Sequence, residues 1–320
     1  MISIFRRIQF MLLCLLAFAA VSACSGRSVQ VSPSPDVAND CHIIQHVFGK
    51  TCVPLHPQRV VTLGVPSMGN ALVLGVKPIA STLYFEDPPP YLVEHLQSIE
   101  SLGTAEQPNL ETILSLKPDL IIGIEYSTEA IYAQLSQIAP TVVGKWNGYP
   151  SWREHFDFVA EVLGKTEEAE QVWANYHQRI QALRSALGDR LQNLEVAFVH
   201  ICCGTIDIDL SNSFSGSILQ DAGIKRPPAQ AATVDGGIVL LSEERLMDIN
   251  GDILFVAANG REAALKLEEL KQNPLWQQIK AVQQNRIYSV NYPTWRGGNP
   301  LAADAVMDDL FRYLVNSQES

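Results

Sequence analysis

Trp295-Arg296, followed by Gly297-Gly298-Asn299, is the stretch of this chain best suited to holding a ligand. An arginine fork can bind carboxylate or hydroxamate oxygens through two parallel hydrogen bonds. An indole supplies a flat apolar wall, and the glycines let the loop adapt. A structural tryptophan beside a solvated arginine is the competing reading. His200 with Cys202 forms a soft donor pair that lacks a third ligand. His42 and His46 are four apart and could share a helix face. They lie between Cys41 and Cys52, ahead of the first strand, which favours a surface role. Zinc or manganese needs several such donors converging at strand ends, so no residue is assigned directly to a metal. The chain has no Gly-x-Ser-x-Gly, no Gly-x-x-x-x-Gly-Lys-[Ser/Thr] and no His-Glu-x-x-His, and neither enzymatic activity nor a cofactor is expected.

The elements that must position these residues alternate. Apolar runs at 59–64, 77–84, 118–123 and 140–143 read as buried strands, separated by helix-like stretches such as 110–116. Residues 151–187 contain no proline and a single glycine, and read as a long helical segment. Strands then return at 195–201, 205–210, 252–258 and 286–291, with helices at 215–222, 243–248, 265–271 and 300–314. Continuous apolar strands alternating with helices indicate an α/β fold with mostly parallel sheets. The expected layout is a lobe over 41–150, a linker helix over 151–190 and a second lobe over 191–320. The lobes share a phrase: Asn109-Leu110-Glu111 leads to Pro118-Asp119-Leu120, and Ser242-Glu243-Glu244 leads to Gly251-Asp252-Ile253.

In open α/β sheets ligands sit beyond the carboxyl ends of the strands. This nominates Ser67, Met68, Tyr84, Phe85, Glu125, Tyr126 and Trp146 in the first lobe. In the second it nominates His200, Cys202, Tyr292, Trp295 and Arg296. The set is rich in aromatics, which suits a large ligand with apolar faces. For each aromatic, core packing competes with a ligand role.

Residues 1–23 read as an export signal. Arg6 and Arg7 precede an apolar run too short to span a bilayer. Val21-Ser22-Ala23-Cys24 resembles the bacterial lipobox, which makes Cys24 the lipidated residue and 24–40 a flexible tether. Export places the remaining cysteines in an oxidising compartment. Cys41 and Cys52 enclose a short loop and are expected to pair, a closure worth roughly 3 kcal/mol. Adjacent Cys202 and Cys203 form a vicinal disulfide or pack as two small apolar side chains.

With these pieces in place, the chain resembles the periplasmic binding proteins of ferric-siderophore and cobalamin ABC importers. The carriers of the resemblance are the phrases at 109–122 and 242–255, the mid-chain helix, the ending Asn273-Pro274-Leu275-Trp276 with Asn285-Arg286-Ile287-Tyr288, and an opening over 41–59 like that of cyanobacterial iron-siderophore binders. The resemblance implies two Rossmann-like lobes joined by one long rigid helix. It also implies a ligand cleft between the lobes, small closure and action as a monomer. One glutamate on each lobe would meet arginines of the membrane permease. Glu111 and Glu244 match those positions, with Glu243 a competitor for the second. Both acids also stand in the first turn of a helix, where a negative charge stabilises the dipole in any case.

The net charge of −11 repels phosphate backbones and argues against nucleic-acid partners. Few cations can be placed near the cleft: Arg296, with Lys145 or Arg153 at its rim. A tris-catecholate chelate is highly anionic, so a ferric hydroxamate, with or without a citrate unit, fits better. Cobalamin, haem or a bare metal ion on the same fold, and a surface sensor or adhesin, are the alternatives.

Overall fold

A computed structural model describes residues 40–83 and 88–316. The export signal, Cys24, most of the tether, Tyr84 and Phe85 lie outside the described residues. Among the described residues no helix is long and apolar enough to cross a membrane.

An antiparallel hairpin of β1 (Cys41–His46) and β2 (Gly49–Pro54) opens the fold. The Cys41–Cys52 disulfide ties it together, with a Cα–Cα distance of 5.6 Å. His42 and His46 therefore lie on a strand, not on a helix. The first lobe is a five-stranded parallel sheet ordered β5-β4-β3-β6-β7, made of β3 (Val60–Leu63), β4 (Ala80–Ser81), β5 (Glu100–Ser101), β6 (Leu120–Ile124) and β7 (Thr141–Gly144). Every residue of β3 and β6 is buried, as expected of strands covered by helices on both faces. The hairpin covers the β7 side: Val47 N donates to Val143 O (3.1 Å) and Thr51 Oγ1 to Thr141 O (3.0 Å).

The second lobe repeats the plan with one change. Its sheet is ordered β10-β9-β8-β11-β12, formed by β8 (Val196–Cys202), β9 (Thr205–Asp209), β10 (Ile238–Leu240), β11 (Ile253–Ala258) and β12 (Ile287–Ser289). β8, β11 and β12 are parallel, and β9 is the one reversed strand of this sheet, pairing antiparallel with both β8 and β10. Cys203 (φ 57°) and Gly204 (φ 80°) turn β8 straight back into β9. Positive φ at both central residues matches the right-handed strand twist of a two-residue hairpin.

The shared phrase is a shared contact. Asp119 accepts from Arg59 N at 2.9 Å and from Gln58 N at 2.7 Å, and Asp252 accepts from Glu195 N at 2.8 Å. In each lobe the aspartate before a central strand clamps the backbone that enters the neighbouring strand. The lobes are thus built alike down to this hydrogen bond.

The 151–190 segment is two helices rather than one. Helix α1 (Trp152–Leu163) ends at Gly164, whose left-handed φ of 64° lets the chain leave the helix. Phe156 and Val159 of α1 belong to the core of the first lobe. The long helix is α2 (Thr166–Leu187), of 22 residues and hence about 33 Å in length. Its Ala169 sits in the core of the first lobe, and Tyr176, Ile180, Leu183 and Leu187 sit in the core of the second. Trp173 packs against both cores. One helix is therefore embedded in both lobes, so their relative position is set by side-chain packing rather than by a loop.

A second seam lies near the C-terminus. Asn299 caps helix α3 (Pro300–Leu310) by accepting from Ala302 N, and its amide donates to Tyr91 Oη at 3.1 Å. A Cβ on Gly69 would come within 2.4 Å of Asn299, so this approach of the lobes requires glycine there.

Candidate functional site

A continuous row of polar and aromatic groups runs from one lobe to the other. Ser67 Oγ lies 2.9 Å from His155 Nε2. The His155 ring meets Trp146 edge-on at 5.5 Å, and Trp146 meets Tyr149 edge-on at 5.7 Å. The Arg296 guanidinium stands 4.2 Å over the Tyr149 ring. Arg296 Nη1 donates to Asp209 Oδ1 at 3.0 Å, and His200 Nδ1 donates to Asp209 Oδ2 at 2.8 Å. Tyr292 closes the row, 5.4 Å from His200 between ring centres. Trp146, Tyr149 and Tyr292 are half-buried, and the charged groups beneath them are buried.

Local sequence explains these positions. Trp146 follows β7, and Gly148 and Pro150 bend the chain through a 3-10 turn, Tyr149–Ser151, that Tyr149 opens and that leads into α1. His200 and Cys202 end β8, and Asp207 and Asp209 occupy alternate positions of β9, so both acids share one face of that strand. Asn291 caps the short turn Tyr292–Trp295 by accepting from Thr294 N at 2.9 Å, which sends Tyr292 and Arg296 one way and Trp295 the other. Gly298 (φ 63°) brings the loop so close to Trp146 that a Cβ there would lie 3.0 Å from Cη2.

The electrostatics follow from burial. Removal from water would raise the Asp209 carboxyl, but Arg296 and His200 hold it down to about 2. Burial would lower the Arg296 guanidinium, and Asp209 with Tyr149 and Tyr292 raises it instead. A second arginine, Arg226, is buried close by and donates to Asp209 O at 2.9 Å and to Gln230 Oε1. Burial draws its pKa down to about 10, against the pull of Asp209. Arg296 Nε, Arg226 Nε and Arg226 Nη1 lack any hydrogen-bond partner among the described residues. Buried donors left unmade are costly, and an anionic oxygen is the group that would satisfy them. His155 is pushed down to about 3 by burial and is neutral.

Several expected site residues come together here: Arg296, Trp146, Ser67, His200 and Tyr292, with Cys202 near Tyr292, although Ser67 and His200 are buried beneath the row and support it rather than offer surface to a ligand. Others do not. Trp295 is 0% exposed, lies among Phe198 (4.8 Å) and Phe255 (4.6 Å), and donates its indole N–H to Asp309 at 2.9 Å. It is a core residue supporting the Arg296 loop and has no surface to offer a ligand. Met68 is likewise buried, with Val65 and Leu92. Tyr126 is 74% exposed beside Glu125, which accepts from Trp146 N at 3.4 Å, and lies outside the row. Asp209, Arg226, Tyr149 and His155 were not anticipated. The alternation Ile206-Asp207-Ile208-Asp209 was a legible signal, because two acids on one face of an otherwise apolar strand require a counter-charge.

Cys202 and Cys203 are free thiols, one buried and one exposed, and the hydrogen bond with Cys202 raises the Cys203 thiol to about 11. Among the described residues no group of three His, Cys, Asp or Glu side chains is placed to hold a metal ion. Glu111 and Glu244 are both exposed, behind Asn109 and Ser242. Glu243 is held by Lys266 at 2.8 Å and by Asn273 at 3.3 Å.

A family model described as periplasmic binding protein matches residues 60–292. The Fe(3+)-citrate-binding protein YfmC of Bacillus subtilis is 32% identical, over 91% of this chain and 91% of its own length. A Bacillus subtilis protein named "Probable siderophore-binding lipoprotein YfiY" is 29% identical over 98% of this chain and 99% of its own. Among solved structures, Staphylococcus aureus SirA complexed with staphyloferrin B superposes with a TM-score of 0.75 at 30% identity, covering 85% of this chain and 98% of that one.

Proposed function

The chain belongs to the periplasmic binding protein family, and from that premise we propose that it is the extracytoplasmic, lipid-anchored receptor of an ABC importer. It captures a ferric siderophore or ferric citrate chelate between its lobes and delivers it, as a monomer, to a membrane permease. It binds and releases; it is not an enzyme.

One observation carries the choice of ligand. Arg296 spans the two lobes, stacked on Tyr149 from one and paired with Asp209 of the other, and its Nε is unbonded. A cation held this way is already balanced by Asp209, and its buried, unbonded Nε is the donor that an anionic oxygen would complete once a bound chelate reaches it. Asp207, Asp209, Arg226 and Arg296 together leave this floor close to neutral. That favours a chelate of low net charge with carboxylate or hydroxamate oxygens over a tris-catecholate. The relatives are named for siderophores in general, ferric citrate and staphyloferrin B; these names do not single out the hydroxamate type.

The test is a fluorescence titration of the full chain in detergent, because Trp146 stands in the row and reports its occupation. Ferric citrate and a ferric hydroxamate should quench saturably, a ferric tris-catecholate should bind more weakly, and Trp146→Phe should remove most of the signal. A response confined to cobalamin or haem would keep the fold and change the cargo. Silence towards every chelate would turn the reading towards a sensor or adhesin.

A further inference from the structure

Two adjacent thiols stand at the edge of the row, and the capture proposed above does not use them. Cys202 ends β8, is 8% exposed and accepts from Asn259 Nδ2 at 3.5 Å. It shares a hydrogen bond with Tyr292, the aromatic that closes the row, and interacts with Tyr149. Cys203 is exposed and hydrogen-bonded to Cys202. The two sulfurs thus lead from solvent to the wall of the row. The turn itself does not ask for cysteine: with positive φ at 203 and 204, its first position is ordinarily Asn, Asp or Gly. Beside the turn lies a depression of about 310 Å³ lined by Gly204, Glu262, Leu265 and Lys266, with room for a small adduct. Lys266 is already paired with Glu243 and Glu269, while Asp207 and Glu262 act electrostatically on Cys203. The approach to Cys203 is therefore acidic.

We propose that Cys203 is a modification site for a small cationic disulfide, that Cys202 resolves the adduct, and that the bond the pair forms lowers chelate affinity by taking Cys202 from Tyr292. The sulfur of Cys203 attacks one sulfur of the incoming disulfide, whose S–S bond breaks. One thiol leaves with the proton that Cys203 gives up, and a mixed disulfide remains. The sulfur of Cys202 then attacks that of Cys203, and the second thiol leaves with the proton of Cys202. Both cysteines are oxidised, and the incoming disulfide is reduced to two thiols. Adjacent Cα atoms stand about 3.8 Å apart, nearer than in ordinary disulfides, about 4.4–6.8 Å. The new bond is therefore strained and easily reduced, which suits a reversible switch rather than a staple. Once made, it turns the Cys202 sulfur towards Cys203 and removes its S–H, so Tyr292 and Asn259 lose that contact. The hydrogen bond within the pair holds the Cys203 thiol protonated at neutral pH, which keeps the exchange slow there. The effect on affinity rests on the chelate reading above; the thiol chemistry does not.

The test adds cystamine, with anionic oxidised glutathione as its counterpart, to the full chain in detergent at mildly alkaline pH. Mass maps of peptides cut without reductant follow the thiols, and quenching of Trp146 by ferric citrate follows affinity. Cystamine should close the Cys202–Cys203 bond, after which ferric citrate affinity should fall about fivefold and return on brief treatment with a dithiol. Oxidised glutathione should react at least about tenfold more slowly, being repelled by the acids. Cys203→Ser should bind ferric citrate like the untreated wild type and ignore cystamine. Cys202→Ser should stop at the Cys203 adduct. A lasting adduct on wild-type Cys203, or no reaction at all, would overturn the resolving role of Cys202. Closure without a change in affinity would overturn the coupling to the row, and equal rates with both disulfides would overturn the cationic class. If untreated protein binds no chelate, the importer reading fails and the coupling with it, while the mass maps still decide whether the pair closes.

Discussion

Asp209 accepts from Arg296 at 3.0 Å and from His200 at 2.8 Å while being wholly buried. One carboxylate thus fixes both polar groups that the second lobe contributes to the row. Arg296→Ala leaves that carboxylate with less counter-charge, and Asp209→Ala does the same to two buried arginines. Breaking a buried pair from one side costs about 3–5 kcal/mol, whereas replacing both partners by apolar residues is often far milder. Urea unfolding should therefore rank Arg296→Leu/Asp209→Leu above Asp209→Ala, which strands Arg296 as well as Arg226. Chelate affinity should nevertheless fall at least about tenfold in the double variant, because the donor edge is gone. Wild-type affinity in the double variant would remove Arg296 from the site.

Trp295 gives a contrasting expectation. Its ring fills space between Phe198 and Phe255, and its N–H satisfies Asp309, whose carboxyl is raised by burial. Trp295→Ala should cost about 3–5 kcal/mol of stability. Trp295→Phe should cost less, and chelate affinity of the folded Trp295→Phe protein should stay within about threefold of wild type. Thermal melts beside titrations separate the two effects, and a large affinity loss in a stable Trp295→Phe would place the indole at the ligand after all.

Much of the fold was legible because its central strands are buried on both faces. Runs such as 120–124 and 253–258 admit few readings once glycine, proline or aspartate bounds them. The shared Asp119 and Asp252 phrase was legible as sequence and became intelligible as a backbone clamp. What failed was direction. Trp295 and Arg296 are neighbours, and only the Asn291-capped turn decides which of them faces the core. Gly164 was visible as the lone glycine of its segment, yet its left-handed conformation, which splits the helix, shows only in the folded chain, where α2 crosses from the core of the first lobe to that of the second. Arg226 had no local signal: its role comes from Gln230 and Asp209, which tertiary packing brings together.

The Cys41–Cys52 bridge spans a sequence separation of 11 residues and staples a hairpin that covers the β7 side of the first sheet. Closing a loop of that size is worth about 3 kcal/mol in the chain-entropy account. Cys41→Ser with Cys52→Ser should lower the unfolding free energy by about 2–3 kcal/mol, read from urea curves with and without reductant. Wild type in reductant should fall onto the variant's curve, while the variant itself should be indifferent to reductant. A variant as stable as the oxidised wild type would show that packing on β7 alone holds the hairpin.

His155 supplies the pH dependence. Its ring is enclosed by Ser67, Trp146 and Phe158, and burial brings its pKa down from 6.5 to about 3. The unfolded chain therefore binds a proton there between pH 6.5 and 3 that the folded chain refuses. Stability from this group is complete above about 6.5 and drains away as the pH falls towards 3. Free energies of unfolding measured across that interval should decline more steeply for wild type than for His155→Gln, which cannot take up the proton. Above pH 7 the slopes should coincide. Because His155 packs on Trp146, quenching by the chelate should weaken over the same interval in wild type. Equal slopes for both proteins between pH 6.5 and 3 would mean that the folded protein accommodates a protonated His155, and that the row between Ser67 and Trp146 is open to water.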